Sequence, residues 1–153
     1  MPISILLRPT TSDEAKRIVE MESTEVAIDF LIPRTEAEHL AQMAEQDITY
    51  LSICHESDGV ARMVGYMALV KDADQISVEC RRIVVSESGG GIGTTAMKQM
   101  ETYCREVLGR QRIWLDFFEN NHRGRHVYEK LGYREFSRKP CGNAVLVLSE
   151  KHL

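Results

Sequence analysis

A cluster of glycines lies between an apolar, strand-like run and a helical pattern. The chain reads Arg82-Ile83-Val84-Val85 and, shortly afterwards, Ser88-Gly89-Gly90-Gly91-Ile92-Gly93-Thr94. Glycines let a ligand approach the backbone closely, and the free N–H groups at the N-terminus of a helix attract anions. Four of the ten glycines of the chain lie in this segment. The segment therefore predicts a binding site for a phosphate group.

Besides a phosphate site of this kind, the glycine segment has three other interpretations. A kinase-type P-loop needs a lysine directly after the glycines, and this chain has none there. The run Gly91-Ile92-Gly93-Thr94-Thr95-Ala96 also fits the dinucleotide fingerprint, with Asp116 as the ribose-binding acid. That match comes late in the chain and leaves too few residues for a doubly wound sheet. A glycine-rich turn without a ligand is the last alternative, although ordering so many glycines is costly in entropy.

The elements around the glycines predict an α+β fold with a mixed central sheet. Strands are predicted at 3–8, 50–55, 62–71, 75–85, 113–118, 133–138 and 143–148. Four helices are predicted. The first two begin at the capping boxes of Thr11 and Thr35, and the second of them ends near Gln46. The third follows the glycines, and the fourth spans 123–131. Short polar turns favour antiparallel pairing of the early strands. The strand before the glycines, the helix and the next strand form a right-handed β-α-β unit with parallel strands.

The composition favours a soluble, cytoplasmic protein. The 153 residues suit one domain, and the apolar share of 43% and charged share of 27% are ordinary. A net charge of −4 argues against nucleic acid as the main partner. Charged residues interrupt the N-terminus, so no signal peptide is expected, and no stretch approaches a membrane span. The four cysteines form no C-x-x-C pair and predict buried or half-buried free thiols: Cys54, Cys80, Cys104 and Cys141.

The glycine segment and residues downstream of it resemble the GCN5-related N-acetyltransferase (GNAT) superfamily. That family carries Q/R-x-x-G-x-G/A between a strand and a helix, where it binds the pyrophosphate of acetyl-coenzyme A. Residues Ser88 to Gly93 match this motif except at its first position. Downstream, Asn121, Gly124 and Tyr128 follow the family's N-x-x-A-x-x-x-Y, with glycine in place of alanine. Gly132-Tyr133 then takes the place of the family's G-F.

The resemblance is strong over residues 75–136 and implies a GNAT-like fold and activity. It implies a sheet of about seven strands, mostly antiparallel, whose central parallel pair splays apart, with helices on both faces and one domain over 1–153. The implied activity is transfer of an acetyl group from acetyl-CoA to a primary amine by direct attack in a ternary complex. Within the family, these sequence motifs most resemble those of the ribosomal-protein-alanine and polyamine acetyltransferase-like branch. A non-catalytic acyl-CoA-binding domain is the alternative, and a nicotinamide-dinucleotide-binding protein is less favoured.

The resemblance also implies which residues hold the coenzyme. They are Ile83, Val84, Val85, Ser88, Gly89, Gly90, Gly91, Ile92, Gly93, Thr94, Asn121 and Tyr128. The pantetheine arm would pair with the backbone of the strand before the glycines, and the N–H of Val85 or Ile83 would face the thioester oxygen. Ser88 in place of glutamine or arginine removes one phosphate contact. Asn121 would bind the pantetheine amide, cap the short helix, or do both.

Tyr128 and Glu79 are the implied catalytic residues. Tyr128 matches the family tyrosine that faces the leaving sulfur, where a phenol can donate a proton to a thiolate. A tyrosine of the core is the alternative. Glu79 would accept the amine proton through water. Two alternatives remain: Glu79 is a strand residue paired with an arginine, or the amine loses its proton without a dedicated base. His122 and His126 share a spacing that metal ligands use, but no third ligand is evident, so no metal is expected.

An acid-rich stretch predicts the acceptor. From residue 20 to residue 47 the chain carries one base, Arg34, and eight acids: Glu20, Glu22, Glu25, Asp29, Glu36, Glu38, Glu45 and Asp47. An acidic wall would concentrate a small cationic amine or a peptide N-terminus, although ordinary solvated helix faces are an equal alternative. Phe30, Leu31 and Ile32 would form an apolar lip or pack in the core. The expected assembly is a monomer or homodimer, without membrane or nucleic-acid partners.

Overall fold

The structure is a computed structural model that describes residues 4–24, 32–87 and 90–153. In these ranges the elements, in chain order, are β1 (Ile5–Pro9), α1 (Ala15–Glu22), α2 (Glu36–Met43), β2 (Ile48–Ser57), β3 (Val60–Lys71), β4 (Ser77–Val85), α3 (Ile92–Glu106), β5 (Arg112–Phe118), α4 (His122–Lys130), β6 (Arg134–Cys141) and β7 (Ala144–His152). A 3-10 turn, Ser12–Glu14, precedes α1. The predicted order of elements is confirmed. Some predictions lie outside the described residues: those on Ile3, Glu25, Asp29, Phe30, Leu31, Ser88 and Gly89.

Both predicted capping boxes are present at the helix starts. The hydroxyl of Thr35 accepts the N–H of Glu38 at 3.1 Å, and the carboxylate of Glu38 accepts the N–H of Thr35 at 3.0 Å. Such a reciprocal pair satisfies two N–H groups that the helix cannot bond itself. Helix α2 ends at Met43, before the predicted Gln46, because a turn follows in which the N–H of Ile48 bonds the carbonyl of Glu45. Strand β2 therefore begins two residues earlier than predicted.

One seven-stranded sheet has the order β1-β2-β3-β4-β5-β7-β6. Of the pairs of adjacent strands that the structure describes, only β4 and β5 run parallel. They pair over three residues each, Ser77–Glu79 with Arg112–Trp114. Beyond that point the two strands separate, so residues 80–85 and 115–118 face a gap. This arrangement confirms the mostly antiparallel sheet with a splayed central pair. It contradicts the dinucleotide interpretation, which needs a doubly wound parallel sheet.

Two cores cover the two faces of the sheet. The larger core lies on the side of α3 and α4, called here the α3 face, and includes Met97 and Met100. The smaller core lies under α1, on the α1 face, and includes Ile18, Met21 and Tyr66. None of the helices in the described ranges is long and apolar enough to cross a membrane.

A β-bulge at Arg81 reverses the alternation of side chains along β4. Before it, Val78 and Cys80 belong to the core of the α3 face. The register with β3 shifts at this point, so that Arg81 is the extra residue. After the bulge Ile83 packs on the α3 face, while Val84 packs on the α1 face. An inserted residue has this effect because successive side chains in a strand point to opposite faces.

Candidate functional site

The gap between β4 and β5 forms a cleft of about 610 Å³ that passes through the sheet. On β5 the buried residues Leu115 and Phe117 point to the α3 face, so the alternating residues Asp116 and Phe118 point to the α1 face. All four line the cleft. Its α3-face side is therefore apolar, while its α1-face side carries charged groups. A substrate entering from one face can thus meet a substrate held on the other.

The glycine turn forms one end of the cleft. Gly90 and Gly91 have positive φ angles of 68° and 74°, a conformation that favours glycine. Gly91 is the N-cap of α3, and its carbonyl accepts the N–H of Thr95 at 3.0 Å. Residues 91–94 line the cleft, and a Cβ added at Gly91 or Gly93 would meet nothing within 4 Å. The positive end of the helix thus borders open space, which suits a diphosphate.

The free edge of β4 forms a second wall of the cleft. The N–H of Ser86 bonds the carbonyl of Val64 in β3 at 2.7 Å. Backbone groups of successive strand residues point to opposite sides, so the N–H groups of Val85 and Ile83 point away from β3 and toward the gap. This strand edge can pair with an extended ligand that carries amide groups.

Asn121 caps α4 at the rim of the cleft. Its side-chain oxygen accepts the N–H of Gly124 at 3.0 Å, and both residues line the cleft. A Cβ at Gly124 would lie 2.7 Å from the side-chain nitrogen of Asn121. Alanine at this position would therefore force Asn121 to move, which gives a local reason for glycine here.

Tyr128 lies at the cleft with its ring against the core of the α3 face. Its ring centroid is 5.4 Å from that of Phe117 and 6.1 Å from that of Tyr133. Within the described chain its hydroxyl makes no hydrogen bond. Burial raises the pKa of Tyr128 above its usual value, and the nearby Cys80 and Asp116 raise it further. The hydroxyl therefore remains a proton donor at neutral pH. Tyr128 thus belongs both to the core and to the cleft.

Glu79 and Asp116 bring two carboxyl groups to the α1-face side of the cleft. Glu79 is 9% exposed and pairs with Arg81 at 3.0 Å. Burial raises the pKa of Glu79, and the nearby Asp116 raises it further, against the opposing charge of Arg81. Burial also raises the pKa of Asp116, against Lys139 and Arg81. Both groups thus hold protons at a higher pH than ordinary carboxyls do.

Asp116 is a residue of this site that was not predicted. The dinucleotide interpretation of the sequence names this aspartate only as a ribose-binding acid. The signal was present, since Asp116 is a charged residue between the buried Leu115 and Phe117. A charged position in a central strand between two core positions must face the other side of the sheet.

The described part of the predicted acidic wall does not border the cleft. Of the acids between residues 20 and 47 that the structure describes, none lines the cleft. Glu22 is completely buried instead. The stretch contributes Ile32, 75% exposed, and Arg34 to the lining. For the described residues, the alternative of ordinary helix faces fits better, and Ile32 lies at the rim as expected for a lip.

Glu22 is the centre of a buried hydrogen-bonded cluster, called here the Glu22 cluster. One carboxylate oxygen lies 2.6 Å from Nε2 of His39, and the other accepts bonds from the hydroxyl of Tyr66 at 2.5 Å and from Arg82 at 2.6 Å. On the other side of the ring, Nδ1 of His39 lies 2.7 Å from the hydroxyl of Tyr50. Burial opposes ionisation of Glu22, but these partners outweigh it and lower its pKa to about 2. The cluster ties α1, α2 and three strands together.

The remaining candidate residues lie away from the reacting centre of the cleft. His122 and His126 are exposed, and no group of three or more metal-binding side chains occurs in the described ranges. All four cysteines are free thiols. Three are buried as expected, whereas Cys141 is exposed and lies at the cleft rim.

Solved structures of known proteins share this fold. A domain from Methanocaldococcus jannaschii has a TM-score of 0.82 at 19% identity, over 99% of each chain. The spermidine N-acetyltransferase from Vibrio cholerae, solved with CoA and spermine, has a TM-score of 0.82 at 16% identity, over 97% of this chain and 95% of that one. No curated protein sequence is significantly similar to the chain.

The sequence itself carries the family assignment. The profile of the Acetyltransferase (GNAT) family matches residues 16–133, which include the glycine turn, both strands of the gap, and Tyr128. The turn, the open strand edge and the apolar side of the cleft fit the diphosphate and the pantetheine arm of acetyl-CoA. The chain therefore belongs to the GNAT family of acetyltransferases, enzymes that use acetyl-CoA as the acetyl donor.

Proposed function

We propose that this enzyme transfers the acetyl group of acetyl-CoA to a primary amine by direct attack, with both substrates bound in one ternary complex. The observation that carries the proposal is the cleft through the sheet. It brings a protonated phenol on the α3 face and two carboxyl groups on the α1 face to the same gap as the glycine turn. Donor and acceptor can therefore meet between the strands.

We propose that the coenzyme-binding residues are those expected from the sequence. The N–H groups at the start of α3 bind the diphosphate. Ser88 and Gly89, which lie outside the described residues, are proposed from the sequence motif to contact it as well. The edge of β4, residues 83–85, pairs with the pantetheine arm as an added strand. Asn121 caps α4 and offers its amide to the arm from the rim. Acetyl-CoA supplies an activated thioester.

The proposed reaction uses three polar groups of the cleft: a backbone N–H of β4, Tyr128 and Glu79. The amine nitrogen bonds to the carbonyl carbon, and the carbon–sulfur bond breaks. The N–H of Val85 or Ile83 stabilises the negative charge that develops on the carbonyl oxygen, a contact typically worth roughly 3 kcal/mol. Tyr128 donates a proton to the leaving sulfur, and Glu79 accepts the proton that the amine loses, directly or through water.

The proposed acceptor is a small cationic amine or a peptide N-terminus. Glu79 and Asp116 support this choice, because carboxylates at the α1-face side attract an ammonium group. The V. cholerae relative is a spermidine acetyltransferase, so polyamines belong in the test. We further propose one N-acetyltransferase domain over residues 1–153, acting in the cytoplasm as a monomer or homodimer without nucleic-acid or membrane partners.

An amine panel tests the proposed function. Purified enzyme and acetyl-CoA are incubated with polyamines, amino acids, aminoglycosides and short peptides, and thiol release is followed. Mass spectrometry then checks the product for one added acetyl group. We expect turnover with at least one primary amine. Tight coenzyme binding without turnover of any amine would favour the non-catalytic alternative.

The pH dependence of the reaction distinguishes the roles of the two carboxyl groups. We expect kcat/KM to rise with pH through an apparent pKa above the ordinary carboxyl range, because Glu79 must lose its proton before it acts as a base. Glu79→Gln removes this limb of the profile and lowers the rate by about a hundredfold. Asp116→Asn shifts the limb to lower pH, because Asp116 raises the pKa of Glu79. The opposite pattern, with the limb lost in Asp116→Asn, would make Asp116 the base.

The glycine turn has a matched control elsewhere in the chain. Gly91 and Gly109 have similar φ angles, 74° and 67°, and a Cβ meets nothing within 4 Å at either position. Alanine at either site costs about 1–2 kcal/mol of stability through backbone strain. Only Gly91→Ala is expected to weaken CoA binding as well, by about tenfold as measured by calorimetry. The backbone at residue 91 shifts to relieve the strain, and this shift displaces the N–H groups at the start of α3. Equal CoA affinity in both variants would contradict the proposed diphosphate site.

A further inference from the structure

Arg34 is held at the cleft wall by the Glu22 cluster. Its backbone N–H bonds the carboxylate of Glu22 at 3.3 Å. Two residues earlier, the carbonyl of Ile32 accepts a bond from Arg82 at 2.6 Å. Glu22 is completely buried, and Arg82 bonds it directly. The segment that carries Arg34 is therefore fixed at two points to the interior, so its side chain projects from an ordered support.

No described carboxylate pairs with Arg34. Arg82 shares its guanidinium between Glu22 and the carbonyl of Ile32. Arg34 lines the cleft, half-buried, and forms no ion pair within the described chain, although the exposed Glu38 lies close enough to interact with its charge. The phenol of Tyr50 is its neighbour; burial raises the pKa of Tyr50 and Arg34 lowers it. Among the described residues, the guanidinium of Arg34 is therefore available to a ligand in the cleft.

The same α1-face side of the cleft also carries carboxyl groups. Asp116 on β5 lines it without an ion pair among the residues that the structure describes, and Glu79, which is paired with Arg81, lies next to it. An acceptor that enters here therefore meets both carboxylates and guanidinium groups. This pattern complements a molecule that carries charges of both signs.

We propose that the acceptor amine also bears a carboxylate, and that Arg34 binds it. A guanidinium matches a carboxylate with two parallel N–H bonds, and a support that is already ordered makes such binding less costly. Free amino acids and peptides with an acidic residue close to the N-terminus both meet this requirement, whereas polyamines do not. The inference rests on the proposed function and narrows its substrate class.

Matched pairs of acceptors test this carboxylate subsite. Each amino acid or acidic peptide is compared with its carboxamide, which keeps the amine and removes the negative charge. We expect kcat/KM to be about tenfold or more higher for the acid member of an accepted pair. Arg34→Gln should reduce this preference to within about twofold, because kcat/KM for the acid falls more than kcat/KM for the amide. Arg34→Lys should keep part of the preference, since the charge remains.

Arg17→Gln is the control, because Arg17 is an exposed residue of α1 that does not line the cleft. It should leave the preference for acids unchanged. Equal rates for acids and amides, or a preference that persists in Arg34→Gln, would overturn the subsite. Melting temperatures of the variants check that each is folded.

A binding arm separates failure of this inference from failure of the proposed function. If no amine in the panel is acetylated, the proposed function fails. Calorimetry with the CoA-saturated protein then compares each acid with its amide directly. Tighter binding of acids that is lost in Arg34→Gln supports the subsite, and its absence overturns the subsite even when amines are acetylated.

Discussion

Tyr128→Phe should lower kcat by about a hundredfold or more, while the KM for acetyl-CoA changes little. The substitution removes one oxygen and keeps the ring that packs against Phe117 and Tyr133. The leaving thiolate then lacks the phenol that is proposed to donate its proton. Steady-state kinetics with the best amine of the panel, at saturating acetyl-CoA, measures the effect.

Tyr103→Phe is the matched control for this substitution. Tyr103 is half-buried on α3 and packs against the same core, but it does not line the cleft. We expect its variant to retain the wild-type kcat. Similar rates for both variants, or a loss in Tyr128→Phe that falls entirely on the KM for acetyl-CoA, would show that the phenol acts through packing or binding and not as an acid.

Glu22→Gln should reduce the free energy of unfolding at pH 7 by about 3–5 kcal/mol, because it leaves the largely buried guanidinium of Arg82, whose side chain is 10% exposed, without its counter-charge. Denaturant titration followed by circular dichroism measures the change. Glu45→Gln, at an exposed position, is the control and should stay within about 0.5 kcal/mol of the wild type. A loss below about 1 kcal/mol in Glu22→Gln would mean that the cluster adds little to stability.

The same cluster should also govern stability in acid. The pKa of Glu22 is about 2 in the folded protein, below the ordinary value of 4.5. A lowered pKa stabilises the fold at pH values above the ordinary pKa, and this contribution is lost as the pH falls from about 4.5 toward 2. Glu22→Gln has no such group, so its stability should vary less with pH across this window. Parallel pH profiles for the two proteins would contradict the lowered pKa.

The local features of the fold could be predicted because short stretches of sequence determine them. The capping boxes at Thr11 and Thr35 depend on residues three apart, and the glycine turn depends on its own backbone freedom. The β-α-β unit around the turn follows from element order and the handedness of crossovers. These features predict that the glycine turn and both central strands lie together, whereas the place of Tyr128 beside them follows only from the resemblance to the GNAT family.

Two features could not be predicted from the sequence because they depend on contacts between distant residues. The bulge at Arg81 arises from the register between β3 and β4, which neither strand determines alone. Glu22 looked like one acid among eight, and its burial depends on partners as far along the chain as Tyr66 and Arg82. Because of these contacts, Glu22 lies in the interior and does not contribute to an acidic wall. Arg34, from the same stretch of sequence, lines the cleft.

A crystal structure of the enzyme with bound acetyl-CoA shows directly whether the cleft between β4 and β5 holds the coenzyme. We expect the diphosphate against the N–H groups of residues 92–94, and the pantetheine arm along the open edge of β4. We expect the sulfur within hydrogen-bonding distance of the Tyr128 hydroxyl, with the acetyl group in the gap that Glu79 and Asp116 border. A coenzyme bound elsewhere, or a Tyr128 hydroxyl turned away from the sulfur, would contradict this expectation.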